Sequence, residues 1–331
     1  MKVYNSMNKP ILLHPVGKDY LWGGRRLHDE YGKNIDLFPL AETWECSTHP
    51  DGTNIIANGE FSGMALSDVI KKHPDFLGKK NEGLDELPIL VKLIDAKDDL
   101  SVQVHPHDKY AMEHENGELG KTEMWYVLEA TKDSKLIYGF NHDCNADELR
   151  SDIFEGKLLK HLQQIPVKKD DVFFIEAGMV HAIGAGTLVA EIQENSNLTY
   201  RLFDYNRVDK NGHHRELHID KAMDVMNMKS SLSPKQPIRV LKYSKGMASE
   251  LLCRCKYFEV FRMIVHTELR QIVKYRTDEM NYRVLMCIDG CGVMRFENES
   301  IDIYKGDCFF FPANSVEVRL HGQMQLLDVR G

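Results

Sequence analysis

A chain of 331 residues, 43% of them hydrophobic, is long enough to bury a full core and to divide into two domains. Its formal net charge of −8 argues against the basic face that nucleic-acid and membrane-surface proteins need, but leaves room for an anionic small molecule in a locally basic pocket. Seven cysteines occur with neither an apolar leader in the opening MKVYNSMNKPILLHPV nor an apolar run of membrane-spanning length, so the expectation is reduced thiols and a cytoplasmic protein.

In chain order, NIIANGEF reads as a strand and LSDVIKKHPDFLG as a short helix with a glycine stop. The runs MWYVLEA and SKLIYGF are strands, and NADELRSDIFEGKLLKHLQQ is a helical pair. Strands follow at DVFFIEA and TLVAEIQ, then a helix at HIDKAMDVMN. MKSSLSPKQPIR, with two prolines and three serines, marks the domain boundary, dividing the chain into 1–230 and 231–331. Strands resume at YRVLMCI, GVMRFEN and QLLDVR. Many short strands separated by Gly, Asp and Asn turns predict a mainly β protein of sandwich or jelly-roll type. The pairs Cys253/Cys255 and Cys287/Cys291 lie in strand-like segments without finger spacing and are read as unliganded thiols.

One stretch echoes another. KKDDVFFIEAGMVHAI (168–183) and IYKGDCFFFPANSVEV (303–318) both run from Lys through an acidic turn and aromatics to a small-residue turn and a strand. Laying Phe173-Phe174 over Phe309-Phe310 puts His181 opposite Glu317. Upstream, EMWYVLEATKDSKLIYGF and MNYRVLMCIDGCGVMRFEN both read as strand, tight turn and strand; Trp125-Tyr126-Val127 over Tyr282-Arg283-Val284 sets Glu123 opposite Met280. Two jelly-roll barrels of one type are implied, the first carrying a helical insertion near 146–166 and followed by a linking helix.

Only the first copy has Glu123 and His181. Just before it, in SVQVHPHDKYA, Gln103 and His105 alternate along a strand and so share a face. Gln103, His105, Glu123 and His181 make a mononuclear metal set with coordination left open for water or substrate, although glutamine is an unusual zinc ligand.

The segments YLWGGRRL, AETWECS, LVKLIDAKDDLSVQVHPHD, GKTEMWYVL and GMVHAIGAGTLVAEIQENSNLTYRLFDYNR together resemble the type I mannose-6-phosphate isomerases of the short bacterial kind, which are bicupin enzymes. The resemblance implies one zinc ion per chain on Gln103, His105, Glu123 and His181, a catalytic cupin domain over 1–230 and a ligand-free cupin domain over 231–331. It places Lys92 and Ser101 at the substrate phosphate, and Lys121, Glu191 and Arg201 as catalytic groups lining the pocket. Three cations beside a metal suit a dianionic phosphate and a developing enediolate. The implied reaction interconverts mannose 6-phosphate and fructose 6-phosphate, with Lys121, Glu191 and zinc-bound water as acid/base candidates. The expected partner is a phosphorylated hexose, with no nucleic acid or membrane, in a monomer or homodimer. A mononuclear iron oxygenase and a non-catalytic sugar-phosphate sensor are the alternatives; Gln103, Lys92 and Ser101 speak against the first. The segment KNGHHRELH is left without a role, and Asn197 stands where the family usually has aspartate.

Overall fold

In the computed structural model, which describes residues 8–209, 211–232, 234 and 236–331, strands dominate because the chain alternates side chains with period two and breaks at turn residues. Residues 1–7 of the stretch read for a leader, Lys210 of KNGHHRELH, and Ser233 and Lys235 of the linker lie outside the described residues. No described helix is long and apolar enough to cross a membrane.

The first half is built from two antiparallel sheets. The larger runs in the order Val172–Ile175, Glu123–Ala130, Thr187–Glu194, Ile89–Ala96, Glu42–Cys46, Val16–Lys18. The smaller runs Tyr200–Phe203, Val102–Val104, His181–Ile183, Lys135–Phe140, Leu162–Pro166. Trp125, Val127 and Val189 of the larger sheet pack on Leu136 and Ile183 of the smaller. The alternate residues Met124, Tyr126 and Ala190 pack against Val284, Met286 and Leu327 of the second half. Burial on both faces explains why MWYVL is continuously apolar instead of alternating.

The second half is one ten-stranded sheet organised on two long strands, Arg283–Phe296 and Val318–Arg330, folded over a core that includes Leu285, Met294, Phe309 and Leu320. The N-terminal strand Ile11–His14 belongs to this sheet, Ile11 lying opposite Phe310 and Leu12 opposite Phe309. The fold is thus the expected cupin type, although the first half is two facing sheets and the second one folded sheet, and neither is a closed barrel.

Several local expectations change. NIIANGEF forms only the two-residue strand Ile55–Ile56 before a 3-10 turn at Gly59–Phe61, because Gly59 takes a left-handed φ of 69° that ends extended backbone. LSDVIKKHPDFLG breaks at Pro74 into the helix Leu66–Lys72 and the 3-10 turn Pro74–Leu77. The helical pair is one helix, Ala146–Phe154, and a 3-10 turn, Leu158–His161; the chain then becomes a strand whose Ile165 pairs with Leu136. RVLMCIDGCGVMRF, Arg283–Phe296, is a single strand, not two, because a bulge between Cys287 and Asp289 absorbs the Asp-Gly signal without reversing the chain.

The repeat also has a different register. Phe173 pairs with Trp125, whereas Phe309 pairs with Leu285, so Trp125 is equivalent to Leu285 and Glu123 to Arg283. Matching aromatics by type displaced the upstream half by three residues, since Tyr282 precedes its strand. Glu317 is an exposed residue ion-paired with Lys274 at 2.9 Å.

Candidate active site

The register of the smaller sheet assembles the first donors. Gln103 lies directly opposite His181 on one side and Arg201 on the other. Glu123 comes from the facing sheet, at the start of its strand, and His105 follows the Gln103 strand by one residue. The donor atoms of His105, Glu123 and His181 all lie within 4.8 Å of one another, and all three side chains are buried.

The contacts are close. Nε2 of His105 is 3.2 Å from Nε2 of His181, and the two rings lie 3.4 Å from Oε2 and Oε1 of Glu123, respectively. Gln103 Nε2 is 3.4 Å from His181 Nε2, and half a turn of the amide would present its oxygen there instead. His181 Nδ1 donates to the Met179 carbonyl at 2.8 Å, which fixes the tautomer and leaves the Nε2 lone pair facing the cluster. Neither carboxylate oxygen of Glu123 accepts a well-formed hydrogen bond, although Lys121 Nζ approaches Oε2 at 3.1 Å. A fully buried carboxylate in that condition is costly. A divalent cation among these donors would satisfy it, so the residues fit a metal.

Electrostatics agree with ligation by neutral imidazoles. Burial, with Lys121 adding repulsion, lowers the His105 pKa to about 3. Burial likewise lowers His181. Burial alone would raise Glu123, but Lys121, His105 and His181 outweigh it and hold the carboxyl well below its ordinary range.

Gln103 and Lys121 also line an adjoining pocket of about 250 Å³, whose walls include Lys92, Ser101, Glu191 and Arg201. Lys92 is buried between Glu191 at 3.3 Å and Glu42 at 3.7 Å, with its ammonium 5.1 Å from the Trp44 ring centre. Glu191 accepts a 2.9 Å hydrogen bond from Trp125 Nε1. Burial and then Glu123 raise its pKa, while Lys121 and Lys92 oppose the rise. Arg201 Nε donates to Ser101 Oγ at 3.3 Å and its Nη1 to the Glu216 carbonyl at 2.8 Å. Among the described residues Arg201 has no carboxylate within ion-pair distance, unlike Lys92, Lys121 and the pocket's other arginine, Arg215, which chelates Asp204.

All nine residues expected at the site are therefore in this one region. The sequence reading gave no role to Glu42 or Arg215, which also line the pocket. Glu42 stood within AETWECS, a visible signal; Arg215 lay in KNGHHRELH, where three histidines drew attention from it. Asn197 is a further wall residue whose Nδ2 donates to Asp51 Oδ2 at 2.8 Å.

Residues 11–133 match the family model for the phosphomannose isomerase type I catalytic domain, and 249–330 match that for the mannose-6-phosphate isomerase cupin domain. The chain is 36% identical over 321 residues to mannose-6-phosphate isomerase ManA of Bacillus subtilis, covering 96% of this chain and 98% of that protein. It is 32% identical to a mannose-6-phosphate isomerase of Streptococcus mutans, over 97% of this chain and 98% of that one. A crystal structure of the Bacillus subtilis mannose 6-phosphate isomerase superposes with a TM-score of 0.89 at 33% identity, over 97% of this chain and 99% of its own.

Proposed function

Because this chain belongs to the type I family of mannose-6-phosphate isomerases, which are aldose-ketose isomerases, we propose that it interconverts mannose 6-phosphate and fructose 6-phosphate at one zinc ion held by Gln103, His105, Glu123 and His181. The observation that carries the metal is the convergence of two buried imidazoles on a carboxylate with no well-formed hydrogen bond. Zinc bound there would supply positive charge next to the sugar oxygens.

The protein's own groups divide the remaining work. Glu191 takes the proton from C2 and returns it to C1, since burial lifts its carboxyl toward the pH at which a base both accepts and releases a proton. Lys92 keeps Glu191 in place through their 3.3 Å ion pair. Arg201, with no carboxylate partner among the described residues, stabilises negative charge as it builds on the enediolate oxygens. Ser101, already bonded to Arg201, holds the phosphate together with Lys92, and Lys121 presents a second ammonium to the sugar. The relatives favour neither an iron oxygenase nor a sensor.

The test is a coupled isomerase assay on purified protein before and after chelation. Loss of turnover with the metal and its return with zinc supports the reading. Full activity in protein shown to be metal-free would sink it.

A further inference from the structure

A second group of donors lies away from the pocket, in the insertion. We propose that His142, Cys144 and His161 form a second metal site, which takes a thiophilic divalent ion such as zinc and clips the insertion shut.

The sequence brings the three together through two loops. His142 and Cys144 follow the strand Lys135–Phe140, and Asn145 then caps the helix Ala146–Phe154. His161 ends the 3-10 turn that precedes the strand Leu162–Pro166. Backbone and amide bonds dock the loops without any ion: Asn141 N donates to the His161 carbonyl at 2.9 Å, and Asn141 Nδ2 to the Lys160 carbonyl at 3.0 Å. The site is preformed.

Its donor atoms lie within 4.8 Å of one another. His142 Nε2 is 3.1 Å from His161 Nδ1, and Cys144 Sγ is 3.9 Å from the same Nδ1. Around tetrahedral zinc, metal–nitrogen and metal–sulfur bond lengths set nitrogens about 3.3 Å apart and nitrogen about 3.6 Å from sulfur. Both of these separations lie within a few tenths of an ångström of those values, and the third, from Cys144 to His142, is within 4.8 Å.

The outer nitrogens point to the same conclusion. His161 Nε2 is 2.7 Å from Asp152 Oδ2, so its proton sits there and the carboxylate orients the ring. His142 Nδ1 is likewise engaged by Asn141 Oδ1. Both inner nitrogens then carry lone pairs directed at each other across 3.1 Å. Something positive belongs between them, and the nearby thiol favours a metal over a proton. Cys144 N bonds the Met228 carbonyl at 2.9 Å, and Asp143 holds Lys229 and Ser230. The clip thus also anchors the segment that leaves the first half of the chain.

Cobalt(II) distinguishes this site from the catalytic one, whose proposed donors include no sulfur. Metal-stripped full-length protein would be titrated with cobalt(II) while the near-ultraviolet thiolate-to-cobalt charge-transfer band is followed. The expected result is a band that is complete by two ions per chain in the wild type, where both sites fill, and by one in His105→Ala. It persists in His105→Ala, disappears in Cys144→Ser with isomerase activity intact, and in His142→Ala needs at least about tenfold more cobalt. No band in the wild type, as a proton shared between the histidines would give, overturns the proposal. So does an undiminished band in Cys144→Ser, which would locate the thiolate elsewhere.

Discussion

His181 and Arg201 flank Gln103, each its direct cross-strand partner on one side. Directly opposed residues of an antiparallel ladder share a face, so three adjacent strands present two proposed metal donors and a guanidinium in one row. Replacing His181 of that row, or His105 beside it, should abolish function without unfolding the sheets, whose cores are formed by other residues. His105→Ala and His181→Ala, made in a Cys144→Ser background, are expected to purify without the catalytic ion and without turnover while keeping the wild-type circular dichroism. Atomic emission on each variant checks this; a full complement of metal would move the site.

Ser101 offers a cleaner probe of phosphate binding than Lys92. Its hydroxyl contacts Arg201 and Gln103, whereas Lys92 neutralises two buried carboxylates. Ser101→Ala should weaken mannose 6-phosphate by about 1.5–3 kcal/mol, the range for a hydrogen bond to a charged group, and leave the slow turnover of unphosphorylated mannose nearly unchanged. Steady-state KM values on both sugars decide. Equal losses would place the phosphate elsewhere.

Lys92→Met should instead change the pH profile. Burial already raises the Glu191 pKa, and the Lys92 ammonium is one of the charges holding it down. Without that cation the carboxyl keeps its proton to higher pH, so less base is present at a given pH. The acid limb of kcat/KM is therefore expected to move to higher pH, and an unmoved limb would remove Glu191 as the base. The same substitution strands Glu42 beside Glu191, so a loss of several kcal/mol of stability is expected with it.

At Asn197 the amide donates to Asp51 at 2.8 Å. Asn197→Asp would replace that bond with two carboxylates in contact, and one of them would hold a proton more tightly than usual. The expected change in rate is less than about tenfold, roughly 1.4 kcal/mol of barrier, with no gain over wild type. Asp51→Asn should restore whatever is lost. A wild type that is inert until Asn197→Asp revives it by about 10² or more would make the aspartate position the acid/base group.

The proposed metal donors were legible as a group because strand periodicity is a local signal. Gln103 and His105 alternate, and the echoing segments drew attention to Glu123 and His181 even though the upstream half of the echo was aligned three residues out. What local pattern could not supply was anything fixed by distant pairing. That Trp125 matches Leu285 depends on which phenylalanine each one faces across the sheet. Arg215 reaches the pocket from an irregular segment with no period to read. His142, Cys144 and His161 meet only because the loops on either side of the helix Ala146–Phe154 dock, and the second lies in a segment whose pattern predicts a helical pair.

The strand Ile11–His14 has a consequence for how the chain is made. Its partner, Cys308–Phe311, leaves the ribosome far later, and Asn8 Nδ2 reaches the Ala313 carbonyl across 305 positions of sequence. Leu13 and His14 can pair early with Ile56 and Ile55, but the other edge of the strand must wait for the intervening chain to be made. Pairing so remote in sequence carries a large loop-closure cost and folds slowly. Truncation at the linker would leave that strand with an open edge and the apolar residues Ile11 and Leu13 uncovered. A nascent chain stalled near residue 230 should accordingly be a chaperone client and a protease target, whereas release of Cys308–Phe311 lets that edge close.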